Sequence, residues 1–403
     1  MATEKKIISL TVKVGLVLFA LCILAPVSLM VLFRHAVPLQ TLRLLFSAGS
    51  ASLVAWEEVK MYSANKGALM CECDMSSLRS DVCELRGDVR VILSNITIIA
   101  LLHPNVSVRR RSWRMKPHAR KNDGHALANV TEVLVSVTPS SPYAPGCTAE
   151  SAAPAVVFSV GGYAGNMFHD FTDVLIPLFI TASRFRSDVH LLVSDAPPWW
   201  LDKYRPLLQG LSRHAVIDMH RQSAEVLCYP HVVVGLSFHK EMSIDTAKTV
   251  GGHYSMADFA RLARRSYGLE RDTAIRLLHG GDNIKSPRRP RLLIISRKTT
   301  RAFTNMGAVA QAAAMLGYEV VPLGGLEAMA RDDFGEPAAD MGLGYVQYGI
   351  AVGESTLAEL YPRDRRVLRD LALRSAYLVS QNVTLDVARF SGALSRALEL
   401  LHR

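Results

Sequence analysis

AVVFSVGGYAGNMFHDFTDVLIPLFIT, residues 155–181, passes from an unbroken apolar stretch through two glycines into Asn, His and two Asp, then reaches a proline. Ala155–Val160 reads as a buried strand. Gly161 and Gly162 follow it and permit backbone angles forbidden to a side chain. A helix is expected to open near Asn166 and run to about Ser183. His169 and Asp173 then lie four apart on it, as do Asn166 and Asp170, so their polar groups share adjoining stripes near its N-terminus. A strand that ends in polar groups is where α/β proteins place their sites. This set is suited to take up a proton and orient a hydroxyl. The plainer reading is that Asp170 and Asp173 simply favour the positive end of a helix dipole.

Outward from this stretch, strand and helix patterns alternate. Val189–Val193 completes a βαβ unit before the turn Ala196-Pro197-Pro198. Further strands are expected at Ala215–Met219 and Val232–Leu236, and a helix at Ser255–Tyr267. SPRRP, Ser286–Pro290, reads as a linker. Beyond it, Arg291–Ser296, Thr304–Leu316 and Tyr318–Leu323 read as strand, helix and strand. The alternation predicts an α/β chain of two Rossmann-like halves, at 71–285 and 286–403. Upstream, Val89–Leu93 and Val130–Val137 look like strands. The basic run RRRSWRMKPHARK, Arg109–Lys121, reads as a solvated loop, with polysaccharide contact as the other option.

The N-terminal region sets the expected compartment. Residues 14–33 are uncharged and about long enough to cross a bilayer as a helix. Lys5, Lys6 and Lys13 precede this stretch, which predicts an uncleaved signal anchor with a cytosolic tail at 1–13, a stem at 34–70 and a lumenal body. A cleaved signal peptide is the alternative. Sequons at Asn95, Asn105, Asn129 and Asn382 suit a secretory surface. Of six cysteines, Cys71, Cys73, Cys83, Cys147 and Cys228 fall in the part expected to be lumenal. That odd number leaves at least one unpaired. The one-residue gap in Cys71-Glu72-Cys73 favours disulfides over zinc, without fixing the pairing. The net charge of +10 suggests an acidic partner. Lumenal topology and the lack of a nucleic-acid motif exclude nucleic acid, leaving an anionic polysaccharide, a nucleotide-sugar pyrophosphate or no specific anion.

Other segments end strands in charge. VVVGLSFHKEM, Val232–Met242, closes on His239, Lys240 and Glu241. LLIISRKTTRAFTN, Leu292–Asn305, closes on Ser296 and Arg297 before Arg301 and Asn305. Guanidinium groups between a strand and a helix N-terminus suit a pyrophosphate, although paired surface arginines are more often structural or solvated. With CDMSSLRSDVCELRGDVR, YSMADF, DFGEPAADMGL and YPRD, these blocks resemble plant glycosyltransferase family 61 over most of residues 71–403. The resemblance implies a single-pass type II Golgi membrane protein with a GT-B-like fold, whose two Rossmann-like domains face a cleft. It also implies inverting transfer of a pentose or related sugar from a UDP-sugar to a xylan-type acceptor, with no obligatory metal or other cofactor. Other Golgi glycosyltransferases are possible partners.

Carried onto this sequence, the family's block implies Asp170 or Asp173 as general base, with His169 beside it. Asn166, Tyr163, Gly162, His239 and Glu241 are expected on the acceptor side. Arg297, Ser296, Arg301, Asn305 and Lys240 are expected on the donor side. The chain departs from the pattern after Tyr318–Leu323, where a glycine-rich segment and on the order of one βαβ unit are missing near 320–325. The alternative function is therefore a silent glycan-binding relative or partner subunit, or an incomplete gene model.

Overall fold

The computed structural model describes residues 70–102, 111–221, 225–272, 289–296, 302–324, 335–360 and 375–401. Its strands are β1 (Met70–Asp74), β2 (Val82–Ile92), β3 (Thr97–Leu102), β4 (Arg111–Met115), β5 (Val133–Pro139), β6 (Ala149–Glu150), β7 (Ala155–Ser159), β8 (His190–Ser194), β9 (Ile217–Asp218), β10 (Val226–Val234), β11 (Arg291–Ser296) and β12 (Glu319–Gly324). A ten-stranded sheet runs in the order β4, β5, β3, β2, β10, β7, β8, β9, with β1 beside β2 and β6 beside β10. β10, β7, β8 and β9 are mutually parallel. β10 meets β2, and β2 meets β3, in antiparallel fashion.

This sheet is mixed, whereas the alternating pattern predicted Rossmann-like halves. The reason lies in the connections. Only a few residues separate β2 from β3, and a turn that short joins antiparallel strands, whereas parallel neighbours need a long crossover. Pro230 inside β10 lacks an N–H for the ladder, and the register with β2 shifts between Tyr229 and His231.

Every residue of β7 is buried. Val156 and Phe158 enter one core with Val174, Leu175 and Leu178. Ala155 and Val157 enter the other with Leu85, Val89 and Val91. Alternate side chains point to opposite faces of a sheet, so a strand covered on both sides reads as one continuous apolar run. Each large side chain so buried stabilises by about 1.5–3 kcal/mol.

The helix expected after β7 forms in three pieces: an α-helical turn at Met167–His169, a π-helical stretch at Asp170–Leu175 and α1 (Ile176–Ala182). Next come α2 (Pro198–Leu211) and α3 (Met256–Ser266), the latter opened by a Ser255–Asp258 capping box. In the C-terminal part, β11 pairs in parallel with β12 through α4 (Met306–Met315), as the pattern predicts. α5 (Gly335–Asp340) follows, and α6 (Val387–Leu401) packs Leu394 against Ala313 and Tyr318. The junction expected to be shortened lies at the end of β12, and residues 325–334 are outside the described residues.

The basic run is corrected by the structure. Arg111–Met115 is an edge strand paired antiparallel with β5, and its charged side chains suit an exposed edge. The chain beyond it turns inward: Pro117 accepts a hydrogen bond from the Ser159 amide at 2.8 Å, and His118 is buried. Disulfides join Cys73 to Cys83 and Cys147 to Cys228, leaving Cys71 as a buried free thiol. Burial pushes that thiol up to about 11. The tail, the stretch at 14–33 and the stem through residue 69 lie outside the described residues. Among those described, no helix is long and apolar enough to cross a membrane.

Candidate functional site

Gly161 sits where the chain leaves β7. A Cβ there would lie 2.2 Å from the Asn129 carbonyl oxygen, so only glycine fits this crossing of two backbones. Beside it, Asp195 follows β8 in the left-handed region, at φ 58°. Burial would raise its pKa, but hydrogen bonds from Ser159, Thr131 and Ser194 outweigh burial and hold the carboxyl below the usual range. The Ser159 hydroxyl donates at 2.6 Å and the Thr131 amide at 2.9 Å. The ends of β7 and β8 are thereby fastened together.

From this fixed edge the chain enters the helix at Asn166, whose Oδ1 accepts from the Phe168 amide at 3.1 Å. One turn later, His169 Nδ1 is 2.8 Å from Asp173 Oδ2. Asp173 is fully buried, while the His169 side chain keeps 17% exposure. Two guanidiniums close on the same carboxylate. Arg79 approaches Oδ1 at 3.1 Å, and Arg120 Nη1 lies 3.2 Å from Oδ1 and 3.3 Å from Oδ2. Charge-assisted hydrogen bonds of this kind are about twice as strong as neutral ones, so the two guanidiniums hold the carboxylate in place. An imidazole that donates through Nδ1 keeps its lone pair on Nε2. The arrangement is a histidine backed by a fixed carboxylate, with π-helical backbone beginning at the next residue. Such bulges occur often at functional sites.

The network extends on both sides. Arg79 also pairs with Glu241 at 3.3 Å and stacks over Phe238 at 4.5 Å. Arg120 also bonds Asp123 at 3.1 Å, and the Tyr163 hydroxyl reaches the same carboxylate at 3.2 Å. The Ala126 amide, then Arg120 and Tyr163, hold Asp123 at about 2. The Tyr163 ring lies 4.5 Å from that of His169, centroid to centroid. Gly162 backs onto His118, whose Nδ1 is 3.1 Å from the Ser159 carbonyl. Burial drives the pKa of His118 down, so it stays neutral.

The structure separates the two carboxylates that the sequence treats as interchangeable. Asp170 points inward and accepts from the Gly165 amide at 2.9 Å, Trp200 Nε1 at 2.9 Å and the Tyr204 hydroxyl at 2.8 Å. A buried carboxylate engaged in this way is an architectural anchor. Neither Asp170 nor Asp173 is above 1% exposure, so His169 is the member of the trio that meets solvent.

Of the remaining expected residues, Glu241 joins the cluster, whereas His239 takes no part in it among the described residues. Burial lowers the His239 pKa. Lys240 pairs with Glu336 of α5, and the Ser243 hydroxyl donates to Asp340 of the same helix. Asn305 has its amide occupied by the Leu385 backbone, at 2.7 Å and 3.1 Å, which makes it a tie between segments. Ser296 ends β11; Arg297 and Arg301 lie outside the described residues. Asn95 and Asn129 are exposed, Asn382 is half-buried and Asn105 lies outside the described residues. Among the described residues no three His, Cys, Asp or Glu side chains are placed to hold a metal ion.

Sequence reasoning missed Arg79, Arg120, Asp123 and His118. Arg120 and His118 stood inside a basic run, where composition hides the two side chains that turn inward. Arg79 is 94 residues from Asp173 and carries no local signal.

No protein-family model matches the chain. It is 39% identical to an α-1,3-arabinosyltransferase of Oryza sativa subsp. japonica, over 82% of this chain and 65% of that protein. It is 33% identical to a β-1,2-xylosyltransferase of the same plant, over 82% of this chain and 84% of that protein. A xylan glycosyltransferase of Arabidopsis thaliana is 26% identical over 80% of this chain and 78% of its own length. The chain spans a little under two thirds of the length of the two rice arabinosyltransferases it matches, 65% and 64%.

Proposed function

The chain belongs to the plant glycosyltransferase family of these arabinosyl- and xylosyltransferases, and we propose that it transfers a pentosyl residue from a UDP-sugar to a xylan-type acceptor with inversion. The observation that carries the reading is the His169–Asp173 pair held between Arg79 and Arg120. His169 Nε2 takes the proton of an acceptor hydroxyl as its oxygen bonds to the anomeric carbon. The bond from that carbon to the diphosphate oxygen breaks with its electron pair, and the nucleoside diphosphate departs. Asp173 keeps the imidazole in the required tautomer and offsets the positive charge it gains. Tyr163 and Glu241 line the acceptor side. Arg297 is the proposed contact for the departing diphosphate, since a planar guanidinium matches its oxygens.

The same reading places the protein in the Golgi membrane as a single-pass type II protein with a lumenal body. Two disulfides and the exposed sequons at Asn95 and Asn129 support that compartment. The test is a transfer assay with UDP-arabinofuranose and UDP-xylose as donors and xylo-oligosaccharides as acceptors, analysed by mass and by anomeric configuration. Product with the donor's anomeric configuration inverted, absent in His169→Ala, is expected. Transfer unaffected in His169→Ala would exclude the assigned base, and no transfer from any pentose donor would exclude the activity.

A further inference from the structure

Residues 197–200, Pro-Pro-Trp-Trp, place two indoles side by side at the start of α2, yet their surroundings differ completely. Trp200 is fully buried and bonded to Asp170, whereas Trp199 is 49% exposed. Asp170 gathers the Gly165 amide, the Trp200 indole and the Tyr204 hydroxyl, so it pins the start of α2 to the loop that leads into His169.

Gly165 has φ +95°, and a Cβ there would stand 2.9 Å from Trp199 Cη2. The edge of the indole therefore rests on bare backbone. Trp199 as a whole is half-exposed, and the next residue after Gly165, Asn166, is exposed too.

We infer that Trp199 is a stacking platform for a sugar ring of the acceptor chain, outside the reacting position. The inference rests on the proposed action on a xylan-type acceptor. An indole face carries negative charge density that attracts weakly positive C–H groups, and a pentopyranose, lacking a hydroxymethyl arm, offers a flat C–H face. A polysaccharide continues beyond the residue that reacts, so it needs purchase next to His169. A half-exposed indole resting on the loop that leads into His169 supplies that purchase by stacking.

The experiment measures binding of xylohexaose and of a UDP-pentose to the wild-type protein, Trp199→Ala and Trp199→Phe by calorimetry, with thermal unfolding of each. In Trp199→Ala, xylohexaose should bind about tenfold more weakly while UDP-pentose affinity is unchanged; Trp199→Phe should retain most of the binding. KM for long acceptors should rise with kcat kept. Equal xylohexaose binding by wild type and Trp199→Ala overturns the stacking role alone, and loss of UDP-pentose binding instead reassigns the indole to the donor. Failure of the wild type to bind xylohexaose overturns the acceptor reading and this inference together. If Trp199→Ala unfolds early, Trp199→Phe and Trp199→Leu at matched stability decide, since only the aromatic variant should bind.

Discussion

His169 and Asp173 act as one unit, because the carboxylate fixes which imidazole nitrogen carries the proton. Asp173→Asn keeps the size of the side chain and removes its charge. It is expected to lower kcat by about 10²–10⁴-fold, as loss of an orienting carboxylate does elsewhere, and the double variant with His169→Ala should lose little more than His169→Ala alone. A double variant whose loss equals the two single losses combined would break the pairing. At His118 the expectation concerns pH. Burial lowers its pKa in the folded protein, so below about pH 6.5 the unfolded chain takes up a proton that the folded chain refuses. Its contribution to stability is complete above that pH and is lost as pH falls. His118→Gln should therefore flatten the decline in melting temperature between about pH 7 and pH 5, leaving the smaller slope from His190 and His239, whose pKa values burial also lowers. An unchanged slope would remove His118 from the account.

The element that matters most is the passage from β7 through the glycine loop into the π-helical stretch. Its strand was legible because β7 is covered on both faces and so shows five apolar or small residues in succession. Its helix was legible as a helix. The π-helical turn at Asp170–Leu175 was not, because a one-residue insertion leaves no periodic mark in so short a segment. Gly161→Ala forces a methyl group onto the Asn129 carbonyl. That overlap cannot relax without moving two backbones, and a destabilisation of about 1–3 kcal/mol is expected, read by chemical denaturation. β4 shows the opposite failure. Its arginines made Arg111–Met115 look like a loop, although an edge strand tolerates charge on its open side.

Over the whole molecule, the disulfides differ in reach. Cys147–Cys228 spans 81 residues and Cys73–Cys83 only 10. Loop-closure entropy assigns them about 4.5 and about 2.7 kcal/mol, respectively, as upper values. Cys147→Ser with Cys228→Ser should thus lower the unfolding midpoint more than the Cys73, Cys83 pair of serines; the reverse order would show that the entropy of the unfolded chain is not what these bonds restrict. Cys71, buried and raised to about 11, should resist alkylation until the protein unfolds. By itself the sequence determined the βαβ around β7 and β8, the later β11–α4–β12 unit and the polar cluster at 166–173, since each is written in residues a few positions apart. Only tertiary structure decided that Asp170 faces Trp200 and Tyr204 while Asp173 meets Arg79 and Arg120, and that β10 pairs with β2 and so joins the parallel strands to the antiparallel ones. Those outcomes depend on which distant side chain lies opposite a carboxylate, and on which strand edge remains open for pairing. Spacing along the chain carries neither.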